Sequence, residues 1–295
     1  MAFERPRFVF RDDIFRRRMP RTAAVRVAGL WVVGSLEGLE RPTVAVVGPR
    51  APSAGGLASA REVAEGLSRA GVCVISGLAL GIDGMAHLGA LGGPTPTVGV
   101  LGGGHRCFFP KRNRELAERM IAHGGAVLSP YAPDEPARPP QFIQRNGVVA
   151  ALADAVVVVE AATRSGALNT ASWAASLGID VLAFPGDVDR TVAAGCNALI
   201  RDGATLVRDH DDVLEAIGIA ALPNTPTSIV ADADATRDPL EVRVLALVAR
   251  EPHDAEALAD LTGAAIGDVL AALMRLEIDG RIRRHDSLRF AAVRA

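Results

Sequence analysis

Short apolar runs alternate with amphipathic stretches along most of the chain. Val44 to Val47 is an unbroken apolar run of the kind that forms a buried parallel strand, and it ends at Gly48-Pro49-Arg50. Leu57, Ala60, Val63, Ala64 and Leu67 then recur at helical spacing, and Gly71 stands where a C′ glycine belongs. Val72 to Ile75 predicts a second strand, closed by Ser76-Gly77. Such a strand–glycine loop–helix–strand unit aims backbone N–H groups and a helix N-terminus at one point above the sheet edge. That geometry suits a phosphate.

The alternation continues downstream. Strands are predicted over Thr97–Leu101, Ala126–Ser129, Ala155–Ala161, Val181–Phe184 and Thr205–Val207. Helices are predicted from about Asp83, over Glu115–His123 and Phe142–Ala153, and after Arg164-Ser165-Gly166. Strands alternating with helices imply an α/β fold with a mostly parallel, doubly wound sheet. Ahead of it, Arg11 to Arg21 reads as a charged helical entry segment and Leu30 to Val33 as an edge strand. From Ile219 to Pro239 the pattern lapses into PNTPTSIVADADATRDP, a linker. Helices over Leu240–Ala249, Glu256–Leu261 and Ala264–Asp279, then a hairpin around Asp286-Ser287, make a small winged helix. The domains are therefore an N-terminal extension (1–42), a Rossmann-like domain (43–218), the linker (219–239) and the winged helix (240–295).

Composition narrows the picture. Aromatic residues are only 4% against 49% hydrophobic, so the core must be aliphatic. No apolar run reaches membrane-span length and the N-terminus is charged rather than signal-like, so no membrane association is expected. The three cysteines are scattered without a C-x-x-C, which predicts a reducing cytoplasm and no thiolate metal site. The net charge of −2 means that any attraction to nucleic acid must come from a local basic cluster.

A dinucleotide cofactor is excluded on two counts: the first loop is not G-x-G-x-x-G, and the second strand ends in Ser76-Gly77 rather than an acid. No cofactor is expected. The GGGHRCFFPKRN loop gathers cations and rings past a strand's C-terminal end, where ligands bind in open α/β sheets. One of Phe108 and Phe109 belongs to the core, and an exposed ring would be a stacking platform contributing ~1–3 kcal/mol per base. Asp83 and His87 stand at i and i+4, but Asp83 reads as a helix cap and no nucleophile accompanies the pair, so no enzyme is expected. His105 reads as a solvated loop histidine.

The segments VAVVGPR, VISGLALGIDGMAHLGAL, VGVLGGG, FPKRN, FIQRNGVVAALADAVVVVEA, RSGALNTA and FPGDVDRTVAAGCNALIRDGA occur in an order and spacing that resemble the DNA-processing protein A family (DprA, also called Smf). The resemblance implies an extended Rossmann-like domain that binds single-stranded DNA, protects it and passes it to RecA in natural transformation, commonly as a homodimer. Carried onto this chain, the DNA contacts are Gly48, Arg50 and Ser53; Ser76 and Gly77; Phe109, Lys111 and Arg112; Arg145 and Asn146; and Arg164, Ser165 and Gly166. Arg50 matches the family's G-S-R, with Pro49 in place of Ser. Lys111 matches Y-P-K, Arg145-Asn146 match R-N-R, and Arg164 matches R-S-G. Leu80 and Gly147 stand where the family has basic residues, and Pro130 replaces a Glu.

The winged helix carries eight Arg against nine acids, and its third helix has Asp268, Glu277 and Asp279 against Arg275. A major-groove reader needs the opposite balance, so the module is expected to contact protein or regulate. Two other classes of function compete with single-strand binding. One is a nucleotide-cleaving phosphoribohydrolase, disfavoured because SGALNTA lacks the P-G-G-x-G-T-x-x-E signature. The other is a nucleotide sensor.

Overall fold

A computed structural model describes residues 3, 5–15, 25, 27–219, 238–249, 252–279, 281–284 and 289–292. The chain divides into two units, one to Leu222 and one from Pro223. Among the described residues, the first unit has nine strands. They are β1 (Arg7–Phe10), β2 (Gly29–Gly34), β3 (Thr43–Val47), β4 (Cys73–Ser76), β5 (Val98–Val100), β6 (Ala126–Ser129), β7 (Ala155–Val158), β8 (Asp180–Ala183) and β9 (Thr205–Leu206). Their spatial order is 1-2-6-5-4-3-7-8-9, with β1–β2 and β2–β6 antiparallel and every other pair parallel.

The helices are α1 (Arg11–Ile14), α2 (Ala54–Arg69), α3 (Ile82–Ala90), α4 (Arg114–Ala122), α5 (Pro139–Ala151), α6 (Gly166–Ser176), α7 (Ala194–Arg201) and α8 (His210–Ala216). The expected doubly wound sheet is the one observed. Alternate residues of β3 face opposite layers: Val44 and Val46 pack with Ala60, Val63 and Leu67 of α2, while Ala45 and Val47 pack with Val148 of α5 and Ala171 of α6. A central strand buried on both faces must be apolar throughout, and each buried Val contributes about 1.5–3 kcal/mol.

From β3 the chain steps to β4, β5 and β6 on one side, then returns to β7 on the other. The switch point thus lies between β3 and β7, and the crevice above their carboxyl ends is where an open α/β sheet takes its ligand.

Three features depart from expectation. The entry helix is the short α1, and residues 16–21 of the expected segment lie outside the described residues. Strand β1 was not anticipated, because three of its four residues are exposed and it pairs only with β2. Helices α7 and α8 were also unforeseen; α8 is short and starts at Asp209, whose side chain accepts from the Asp212 N–H at 3.1 Å.

The second unit contains α9 (Pro239–Val248), β10 (His253–Asp254), α10 (Ala255–Thr262), α11 (Ile266–Ile278), β11 (Ile282–Arg284) and β12 (Arg289–Ala292). Its sheet order is β10-β12-β11, and Val244, Leu258, Val269, Leu273 and Leu276 form its core. Most of the expected linker (220–237) and the hairpin turn at Asp286-Ser287 lie outside the described residues. Among the described residues no single helix is long and apolar enough to cross a membrane.

Candidate nucleic-acid interface

Gly48 ends β3 against the start of α3, where a Cβ would lie 2.4 Å from the Ile82 side chain. This close approach turns the chain outward and leaves Arg50 exposed at the mouth of the switch-point crevice. The Arg50 guanidinium carbon sits 5.1 Å from the centroid of the Phe142 ring. Phe142, at the start of α5, is in turn 6.0 Å from the ring of Phe109. Phe108 points into the core at 4% exposure, and Phe109 is 49% exposed. The expected division of the two rings is therefore observed, with Phe109 the outer one.

The crevice is a cleft of about 600 Å³ lined by Gly48, Arg50, Gly77, Arg145, Asn146 and Arg164, with Ser165 and Gly166 beside them. A small hollow lined by Arg50, Leu80, Phe109, Phe142 and Arg145 adjoins it. Phe109 also borders a third recess, walled by Lys111, Arg106 and Arg114. Shared residues thus link the three into one path from Arg164 past Arg50 to Lys111. Arg112 is exposed on the turn Lys111–Asn113 but lines none of the three.

The expected contacts differ in depth. Arg50, Lys111 and Arg164 are exposed, whereas Arg145 is 4% exposed and donates to the carbonyls of Gly77 and Val100. Burial pulls the Arg145 guanidinium below its ordinary value, while the opposite charge of Asp83 raises it. Burial likewise raises the Asp83 carboxyl, and Arg145 lowers it. Ser76 is fully buried and donates to Val46 O at 2.7 Å. Asn146 donates to Asn169 Oδ1 at 3.2 Å and Gly166 O at 3.3 Å, tying α5 to the start of α6, whose N-cap is Ser165.

Several readings need correction. Asp83 does not cap α3: the N-cap is Gly81, and Asp83 Oδ2 instead accepts the N–H groups of Gly77 at 3.1 Å and Ala79 at 3.4 Å. Together with Asn113, which donates to Leu78 O and Ala79 O at 2.9 Å, it braces a loop in which Leu78 takes φ 55. A leucine in the left-handed region persists only when its surroundings hold it there. His105 is not solvated; it is fully buried with Nε2 on Val127 O at 2.9 Å, and burial lowers its pKa. The N-terminus of α2 already holds an acid, Glu160: Ser53 N–H donates to Glu160 Oε2 at 2.9 Å and Ser53 Oγ to Oε1.

Phe142, Asn113 and Glu160 escaped the sequence reading. The FIQRN and FPKRN segments contain the first two, but nothing in a single chain separates them from their neighbours.

A family model for DNA recombination-mediator protein A matches residues 8–218, and one for the DprA winged helix domain matches 230–287. A DprA-type chain of Mycobacterium tuberculosis is 45% identical over 192 residues, 64% of this chain and 49% of that one, so this chain spans about half the length of that relative. Protein Smf of Escherichia coli is 36% identical over 256 residues, 86% of this chain and 68% of its own. The X-ray structure of DNA processing protein A from Streptococcus pneumoniae superposes with a TM-score of 0.66 at 37% identity, over 72% of this chain and 75% of that one. A structure of DNA processing protein A from Helicobacter pylori, described for its single-stranded DNA binding mode, gives 0.64 at 24% identity, over 74% of this chain and 98% of that one, a likeness of fold. With matched models over its sheet and its C-terminal helices, the chain belongs to the DNA recombination-mediator protein A (DprA/Smf) family.

Proposed function

We propose that the chain holds single-stranded DNA along the cleft, does no chemistry on it, and delivers it to a RecA recombinase during transformation. The observation that carries this reading is the convergence of exposed Arg50 and Arg164 on one cleft, with the Phe142 and Phe109 rings between Arg50 and Lys111. Cations that track a backbone, interleaved with rings on which bases stack, are what sequence-tolerant single-strand binding requires. A non-catalytic role is supported by the cleft's lining, whose one acid among the described residues is Asp83, already committed to two backbone N–H groups. His87 is fully buried against Thr97, out of reach of a ligand. The recombinase hand-off and the pairing of two copies are supported by the family relation. The winged helix fits a protein-contact role, since α11 exposes Ile266, Leu270 and Met274 beside Asp268.

Titrating a fluorescent dT oligonucleotide at several salt concentrations tests the proposal. Neutralising three to five phosphates gives a slope of log K against log[salt] of roughly −2 to −3.5. A flat slope, or tighter binding of a mononucleotide than of the oligonucleotide, overturns it.

A further inference from the structure

We propose that the Glu160 carboxylate, seated on the N-terminus of α2, stands in for a phosphate there and so excludes mononucleotides from the switch point, leaving the cleft to linked nucleotides gripped by its side chains. The proposal rests on the single-strand reading above and adds a specificity-determining residue to it.

Glu160 lies just past β7, on the far side of the switch point from α2, and is 8% exposed. Its Oε2 accepts the Ser53 N–H at 2.9 Å and its Oε1 the Ser53 hydroxyl, while Ser53 Oγ accepts the Gly56 N–H at 3.0 Å. These are the donors that an α/β fold ordinarily turns towards a ligand phosphate. The first turn of α2 carries no acid of its own. Its dipole is therefore matched by a carboxylate from 107 residues away in sequence. The seat is shaped for this group: a Cβ on Gly56 would fall 2.5 Å from Glu160 Cδ.

Beside the carboxylate is a hollow of about 170 Å³ bordered by Gly55, Ser59 and Arg190, with Glu160 in its wall. Without the carboxylate, the helix end and Arg190 would form an anion site. With it, an entering phosphate meets a like charge and finds the Ser53 donors taken. A mononucleotide then has only the separate side-chain cations of the cleft, each a weak hold. A polynucleotide engages several of them at once and gains from their linkage.

The test uses the full chain, its Glu160→Ala and Glu160→Gln variants, and two probes, dTMP and a dT oligonucleotide. Glu160→Ala is expected to gain at least about tenfold in dTMP affinity, read as a ligand-dependent rise in Tm, with oligonucleotide binding retained. Glu160→Gln keeps the bulk in the seat and is expected to gain less. A folded Glu160→Ala variant that binds the oligonucleotide but takes dTMP no better than wild type overturns the proposal. Should Glu160→Ala not fold, the wild-type chain decides: the amide signals of Ser53 to Gly56 must stay unmoved by dTMP, and a saturable shift there overturns the proposal. If wild type binds no oligonucleotide, the single-strand reading fails instead, which is a separate result.

Discussion

Arg145 and Asp83 grip the same residue from opposite sides: Arg145 donates to the Gly77 carbonyl, and Asp83 accepts the Gly77 N–H at 3.1 Å. Gly77 is where β4 gives way to the strained Leu78 turn, and a Cβ there would meet the Arg145 guanidinium at 2.2 Å. The buried opposite charges therefore set the floor of the cleft, above which the exposed cations stand.

Arg145→Ala is expected to act through folding. It removes the buried donor of the Gly77 and Val100 carbonyls and the opposite charge that lowers the Asp83 carboxyl, and an acceptor left unsatisfied in the interior costs about 1–3 kcal/mol. Urea unfolding measures it. A variant of unchanged stability and weakened oligonucleotide binding would make Arg145 a direct contact instead.

Arg50→Ala is expected to behave in the opposite way. The side chain is exposed and rests on the Phe142 face, a contact worth about 0.5–1 kcal/mol at such a site. The salt slope for a dT oligonucleotide should shrink by about 0.7, the share of one phosphate. Thermal stability should hardly move. A large drop in Tm with an unchanged slope would reverse the assignment.

How legible this was depends on where each constraint originates. The strands β3 and β7 stand out in sequence because both faces are buried, so every residue of TVAVV and AVVV is constrained towards the interior. In β1 that constraint vanishes, as Phe8 and Phe10 are exposed and carry no core pattern. Arg50 and Arg164 were readable because each abuts a strand end or a helix start. The depth of Arg145 was not, since a motif gives a residue's place in the chain but not how far its side chain sinks. The Ser53–Glu160 pair joins positions 107 residues apart, a contact that only the sheet order of β3 beside β7 creates.

Stability should fall as the solution is acidified. His87 is fully buried; the Thr97 hydroxyl donates to Val74 O at 2.7 Å, so it must accept from His87 Nδ1–H at 2.8 Å. Nδ1 therefore carries a proton, and a second one on Nε2 would be buried without a partner. Burial, with Arg145 adding to it, pushes the pKa down to about 3. The unfolded chain takes up that proton near pH ~6.5 while the folded one does not, so stability is full above that pH. It declines as pH drops towards the folded value, at up to about 1.4 kcal/mol per pH unit. Urea midpoints at pH 7, 6 and 5 check this. His87→Gln should flatten the dependence, and an unchanged profile in that variant would show that other groups govern it.

Leu80 and Gly147 are both places where the family resemblance implies a cation, and the structure separates them. Leu80 is half-buried in the hollow shared by Arg50, Phe109 and Phe142. Leu80→Lys should tighten oligonucleotide binding and steepen the salt slope by about 0.7. Gly147 is buried in α5, and a Cβ there would stand 3.1 Å from the Trp173 ring of α6. Gly147→Arg is thus expected to lose about 1–3 kcal/mol of stability through overpacking. Trp173→Ala in the same chain should recover part of that loss, a non-additivity that a double-mutant cycle would register. If Gly147→Arg alone is neutral and raises affinity, Trp173 yields easily and the loss of charge at this position has no packing origin.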